Sequence, residues 1–365
     1  MDKPKQETLD QFARDLDQIR EETMEKVGSD DARYIRTLIG FQRVLDISSR
    51  LTMALVLVHP AFFIAGILGL ALAKILENME IGHNVMHGQY DWMNDPDINS
   101  RHYEWDIAAD GASWKRYHNH EHHTYTNVIG KDRDFGYGLL RLSDDYAWRP
   151  KNLWQFLTYL NLSFLFEWGV AYHEVAGERV FRGKARKDST LPISRKTLRN
   201  DFFRKIGRQV FKDYVFFPLL FWPVALYVLA GNAIANVLRN LWTSSVIFCG
   251  HFTDGIHTFQ PEEIRNESRG QWYYRQILGS SNLSGSKIFH ILTGHLSCQV
   301  EHHLFPDVPA PRYREMAPKV QAVCQKYGIP YNTGRLGKQY LSVVKRILKY
   351  SLPQRHEREA RTMST

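Results

Sequence analysis

Sixteen histidines occur among the 365 residues, and twelve of them fall into three stretches, 83–87, 118–123 and 251–303. A fold that uses these stretches together must return the chain to one place across long intervals. The first reads His83-Asn-Val-Met-His87, the second His118-Asn-His120-Glu-His122-His123, and the third His295-Leu-Ser-Cys-Gln299-Val-Glu-His302-His303. On an α-helix, residues i and i+4 stack on one face about 6 Å apart. That spacing lets His83 with His87, and His118 with His122, grip one metal between two imidazoles. His123 is turned one residue further, toward a second metal, and Gln299, His302 and His303 repeat the arrangement with an amide in the first place. His120 falls on the opposite side of such a helix and reads as a surface group or as one that supports a ligand from behind.

Neutral imidazole suits iron, copper, zinc and nickel alike. Seven histidines in the three motifs exceed what one tetrahedral zinc can use, so at least two metals are expected. The metalloprotease pattern His-Glu-x-x-His is absent. Of the two Glu-x-x-His units that a carboxylate-rich di-iron bundle requires, only Glu80-Ile-Gly-His83 is present. The three cysteines, Cys249, Cys298 and Cys324, have neither zinc spacing nor enough partners for a disulfide framework, which points to a reducing compartment.

Hydrophobic residues make up 44%, charged residues 24%, and mean hydropathy is −0.39, so any membrane part must share the chain with a large polar part. The first forty residues are charged and helix-like, with Leu9, Phe12, Leu16 and Ile19 at helical spacing; amphipathic helices outside the bilayer are expected there, and no cleaved secretory signal. Leu51 to Ala73 carries no charge and is long enough to cross a hydrocarbon core of about 30 Å. His59-Pro60 interrupts it and permits two readings, one crossing or a hairpin whose first arm starts near Gln42 and whose second runs from Ala61 to about Glu80. Arg43, Asp46 and Arg50 handicap the hairpin, although arginine can snorkel. Farther on, Gly231-Asn232 is expected to turn the chain between helices 214–230 and 233–251, with Arg239 inside the second.

Residues 153–173 are aromatic and leucine-rich but interrupted by Glu167, and are expected to lie on the membrane surface. If the histidines share one site, the chain between His123 and His302 must cross an even number of times, which the pair 214–251 satisfies. His251 then returns to the side of the clusters. The net charge of +8 is concentrated in Arg182 to Arg208 and Arg335 to Thr365. These stretches read as cytosolic faces toward anionic head groups or substrate phosphates, or as solvated surface, with no nucleic-acid partner expected.

Taken together, His83-x-x-x-His87, His118-x-x-x-His122-His123 and Gln299-x-x-His302-His303 resemble the three histidine boxes of the integral-membrane fatty acid desaturases. The segments His122-His-Thr-Tyr-Thr-Asn127, Gly130-Lys-Asp-Arg-Asp134 and Glu301-His-His-Leu-Phe-Pro306 resemble the bacterial acyl-CoA subgroup with a Gln-x-x-His-His third box. The resemblance implies an all-α integral membrane protein of about four transmembrane helices under a cytosolic helical cap, and so favours the hairpin. It implies residues 1–40 as N-terminal cytosolic helices, 41–330 as the desaturase domain and 331–365 as a basic tail. It implies two iron ions held by His83, His87, His118, His122, His123, His251, His302 and His303. Gln299 or His295 is a further ligand candidate, and Asp132, Asp134 and Glu301 are candidates for orienting the imidazoles.

The implied activity is O2-dependent introduction of a cis double bond into a long-chain acyl-CoA or acyl-lipid in a multi-pass cell-membrane enzyme whose site faces the cytosol. The chain lacks a Gly-x-Gly-x-x-Gly fingerprint and a fused cytochrome b5-like motif, so electrons are expected from a separate ferredoxin or flavin reductase. A related lipid or alkane hydroxylase and a non-catalytic membrane metal-binding protein are the alternatives.

Overall fold

The structure, a computed structural model, describes residues 4–181 and 194–354. Part of the basic stretch 182–208 and the end of the C-terminal tail lie outside the described residues. The helices that position the site are α1 (Gln6–Met24), α2 (Ser29–Ala54), α3 (Pro60–Ile75), α4 (Gln155–Phe164), α5 (Phe166–Glu174), α6 (Arg195–Phe211), α7 (Ala225–His251), α8 (Arg269–Leu278), α9 (Gln299–Leu304), α10 (Tyr313–Lys326) and α11 (Leu336–Ser351). Strands β1 (Asn282–Ser284) and β2 (Thr333–Arg335) pair in parallel, Leu283 opposite Gly334. The chain divides into two compact units, one of Met1–Val27, His118–Leu162 and Ser245–Thr365, the other of Gly28–Tyr117 and Ser163–Ser244.

In the first unit, α1 buries the predicted stripe of Leu9, Phe12, Leu16 and Ile19 against Tyr273 of α8 and Tyr313, Met316 and Val320 of α10. Gly270 lets α8 come this close, since a Cβ there would lie 2.2 Å from the Leu9 carbonyl oxygen. Residues beyond 330 contribute β2 and α11 to this unit.

In the second unit, α2 and α3 form the hairpin. His59 is extended and its Nδ1 accepts the Ala61 N–H at 3.1 Å, while Pro60 opens α3, where a missing N–H removes no helical bond. The first arm begins at Ser29 rather than near Gln42, so residue 40 lies within a helix. Gly66 and Gly69 permit close packing of the arms, because a Cβ would meet the Met53 backbone N at 2.6 Å and the Ser49 Oγ at 2.3 Å. Arg50 does not snorkel: it is buried and bonded to Asp46 at 2.9 Å, Asn232 at 3.2 Å and Asp213 at 3.5 Å. Asp213 also accepts from Lys74 at 2.7 Å and Asn236 at 3.2 Å.

The expected turn at Gly231-Asn232 is not there, because both residues lie inside α7. The chain reverses instead around Phe221–Val224, where Pro223 removes a backbone donor, after Pro218 has done the same in the short preceding helix Phe217–Leu220. Gly231 serves packing, since a Cβ would lie 2.3 Å from Met53 Sδ. Asn232 donates to the Asp213 carbonyl at 2.6 Å. Two other apparent misfits resolve each other, as Arg239 pairs with Glu167 at 2.8 Å with both side chains buried. The stretch 153–173 splits at Leu165 into α4 and α5, of ten and nine residues, each too short to span by itself. Among the described residues, Pro60–Met86 and Trp222–His251 are long and apolar enough to cross a membrane.

Removing the charge of Asp213 while Lys74 stays buried should destabilise the hairpin by about 3–5 kcal/mol, the usual cost of breaking a buried ion pair. Asp213→Asn is expected to lower the thermal unfolding midpoint by several degrees, and Asp213→Leu combined with Lys74→Leu to regain most of it. An unchanged midpoint in Asp213→Asn would remove the network from the fold's supports.

Candidate metal centre

The histidine motifs do not all sit on regular α-helix. Leu76–His83 and Lys115–His122 are π-helical, and each gives way to an α turn at its last histidine. A π segment widens the turn and is frequent at functional sites. The partners still meet: His83 and His87 have ring centroids 4.6 Å apart beside Trp114, and His118 and His122 stack at 5.1 Å. His83 and His87 belong to the second unit, and the remaining box histidines with His251 to the first.

Within the first unit, ring nitrogens of His122, His251 and His303 lie within 4.8 Å of one another, and all three residues are buried. His123 stacks on His303 at 4.4 Å and meets His302 edge-on at 4.8 Å. The orientation of the rings decides what the cluster can do. His118 Nδ1 faces Asp134 at 3.2 Å, His122 Nδ1 faces Asp132 at 3.1 Å, and His251 Nδ1 faces the Gly279 carbonyl at 3.3 Å. His303 Nδ1 faces Gln276 Oε1 at 3.1 Å, and His302 Nδ1 faces Tyr313 at 3.5 Å. Because the Tyr313 hydroxyl donates to the Phe305 carbonyl at 2.9 Å, its oxygen accepts from His302.

Five imidazoles therefore carry their proton on Nδ1 and keep the Nε2 lone pair for a cation, the arrangement typical of metal-binding histidines. The His251 and His303 Nε2 atoms lie 3.1 Å apart. Two lone pairs so close repel unless a positive charge is shared between them, so the donor set fits a metal. Burial and the neighbouring imidazoles, His123 first, hold His303 well below the usual histidine range. Burial likewise lowers His118 against the pull of Asp134. At His122 burial is outweighed by Asp132 and Asp134, which hold it above the ordinary value.

Residues 57–335 match the fatty acid desaturase family. The chain belongs to that family. It is 44% identical over 355 residues to the NADPH-dependent stearoyl-CoA 9-desaturase of Mycobacterium tuberculosis, covering 96% of this chain and 82% of that protein. It is 25% identical over 314 residues, 82% of each chain, to the sn-1 linoleoyl-lipid 6-desaturase of a Synechocystis species. No solved structure matches. The protein is thus a fatty acid desaturase, an oxidoreductase of lipid metabolism whose histidine cluster is compatible with a di-iron site.

Several expected roles shift in this desaturase. Asp132 and Asp134 orient imidazoles, whereas Glu301 does not: it accepts from Tyr331 at 2.8 Å and Asn282 at 2.8 Å. His295 adopts a left-handed conformation (φ 54°) ahead of a 3-10 turn, so it is not on the helical face of Gln299, and its ring stacks on His290. Gln299 opens α9 and places its amide nitrogen 3.0 Å from His251 Nε2, while its buried Oε1 has no hydrogen-bond partner. Gly250 makes this possible, since a Cβ there would come within 3.0 Å of the Gln299 side chain. His120 is exposed, as its helical phase predicted.

The histidine pattern alone did not reveal Gln276, Tyr313 or the Gly279 carbonyl, because all belong to segments without a histidine motif. Gln276 joins two boxes, accepting from His303 and donating to the His123 carbonyl at 2.9 Å. Gln276→Leu should weaken metal retention about 10–100-fold, as loss of such outer partners does. Gln276→Glu, which keeps the acceptor, should retain most of it. Iron remaining after a graded chelator challenge is the measurement, and equal retention in Gln276→Leu and the parent would show that Gln276 does not hold the ring.

Proposed function

We propose that the chain is a membrane-bound desaturase of long-chain acyl-CoA, with two irons held by His83, His87, His118, His122, His123, His251, His302 and His303, and Gln299 as the further ligand candidate. The inward-directed Nε2 set of His122, His251 and His303 carries the reading of a metal centre. The similarity to a stearoyl-CoA 9-desaturase along 96% of the chain supports the CoA ester and the ninth position.

Two hairpins, α2 with α3 and the Lys212–Leu220 region with α7, would supply four crossings. Their turns, Leu55–Pro60 and Phe221–Val224, carry no Lys or Arg, which agrees with turns on the far side and a cytosolic cap.

The reaction converts –CH2–CH2– to –CH=CH– while O2, two electrons and two protons become two waters. Iron and O2 supply the oxidant that an unactivated C–H bond requires. The protein's own residues hold the Nδ1 protons of the ligand imidazoles and direct their Nε2 atoms inward through Asp132, Asp134, Gln276, Tyr313 and the Gly279 carbonyl. Electrons come from a separate ferredoxin or flavin reductase, and the "NADPH-dependent" of the mycobacterial relative is consistent with such a chain.

Expression in a desaturase-null host with gas chromatography and mass spectrometry of total fatty acids tests this. The expected product has lost two hydrogens, one from each of carbons 9 and 10, with about two irons per purified chain. His122→Ala and His303→Ala should abolish it. A gain of one oxygen would make the protein a hydroxylase, and iron binding without O2 consumption a metal carrier.

A further inference from the structure

Helix α11 packs on its unit through Gln339, Val343, Ile347 and Tyr350, all buried, and leaves its opposite side open. On that side Leu341 and Leu348 are 53% and 47% exposed, and Leu352, just past the helix end, is 51% exposed. At about 100° per residue Leu341 and Leu348 fall within about 20° of each other, and Leu352 follows at the helix end. Lys338, Lys345 and Lys349, all exposed, occupy the adjoining arc. Arg346 is turned inward, onto the carbonyls of Leu142 at 2.8 Å and Thr253 at 2.9 Å, so the outer cations are lysines. Between Glu315 and Glu357 the chain has no acidic residue.

A second exposed apolar segment is tied to this helix within the same unit. Gln155 donates to the Ile347 carbonyl at 2.5 Å, Tyr159 to the Tyr340 hydroxyl at 3.0 Å, and Trp148 to the Ser351 carbonyl at 2.8 Å. At the start of α4, Leu153, Trp154 and Leu157 are exposed, with Trp154 at 66%, and Arg149 and Lys151 are exposed beside them.

An apolar stripe bordered by lysines, with an indole at its edge, matches a helix lying in a lipid interface. Leucines enter the boundary of the acyl region, lysine stems run along it with their ammonium groups at the phosphates, and the indole sits at head-group level. An acidic protein partner would meet the lysines but leave the leucine stripe without a counterpart. We infer that α11, together with the Leu153–Leu157 segment, docks the first unit onto the anionic surface of the membrane that the protein inhabits. This rests on the membrane location proposed above. It assigns to the C-terminal helix a surface separate from the metal centre.

The test uses the full chain in lipid nanodiscs, with single cysteines carrying an environment-sensitive fluorophore; Cys249, Cys298 and Cys324 are buried. The sites are Leu348→Cys on the stripe, Ile64→Cys on the exposed side of α3, and Glu21→Cys on the exposed side of α1. Lipids with a nitroxide high on the acyl chain, and aqueous iodide, serve as quenchers. The expected result is lipid quenching at Leu348→Cys and Ile64→Cys and iodide quenching at Glu21→Cys. The Leu348→Cys signal should fall at least about twofold when anionic lipid is replaced by phosphatidylcholine, or when Lys338, Lys345 and Lys349 are changed to Gln, since each such lysine adds attraction near an anionic surface.

Iodide access at Leu348→Cys, with Ile64→Cys still quenched by lipid, would overturn the docking while leaving the membrane location standing. Shielding from both quenchers would mean that protein covers the face, and equal quenching on neutral lipid would mean that the lysines do not select the surface. Either result overturns the proposal. Loss of lipid quenching at Ile64→Cys would defeat the membrane location and this inference with it.

Discussion

The arrangement on which the rest depends is the pinning of imidazole Nδ1 atoms by groups of the protein. An unanchored histidine can present either ring nitrogen, and a metal site built from such rings would be poorly defined. Here Asp132, Asp134, Gln276, Tyr313 and the Gly279 carbonyl each settle one ring's tautomer and direction. These partners come from segments far apart in sequence, so positioning the metal ligands requires that the first unit be folded as a whole. The core formed by α1, α8 and α10 sits behind them, and Tyr313 and Gln276 are residues of those very helices.

A second constraint comes from charge in apolar surroundings. Isolated ionised groups are costly to bury, and three buried cations of the second unit have anionic partners: Arg50 and Lys74 share Asp213, and Arg239 takes Glu167. These pairs join α2 to α3 and α5 to α7, so they specify which helices neighbour one another as well as neutralising charge. Glycine acts to the same end, with Gly66, Gly69 and Gly231 bringing helices into contact at distances a side chain would forbid.

Much of this was legible in the residues. The spacing of the histidines pointed to a His-rich cluster able to hold metal, because i, i+4 neighbours share a face whichever tertiary fold surrounds them. The box motifs identified the family, and the amphipathic period of the first helix named its buried residues. Hydropathy marked the two regions that hold the long apolar helices but misplaced their ends, since burial in lipid or core leaves its mark on composition and not on helix boundaries.

What the residues could not decide were choices settled only by distant partners. Gly231-Asn232 has the composition of a turn, yet Met53 and Asp213 pack against it and keep it helical, while two prolines reverse the chain earlier. Glu301 stands beside two histidines in sequence but faces Asn282 and Tyr331, because alternate sides of a short helix meet different neighbours. Gln276 has no motif at all and gains its role from lying between two boxes in space. Local sequence determined which side chains are candidates to hold a metal and where the chain is apolar; tertiary structure decided which nitrogen of each ring points inward, because that is set by hydrogen bonds between segments that meet only when the chain is folded.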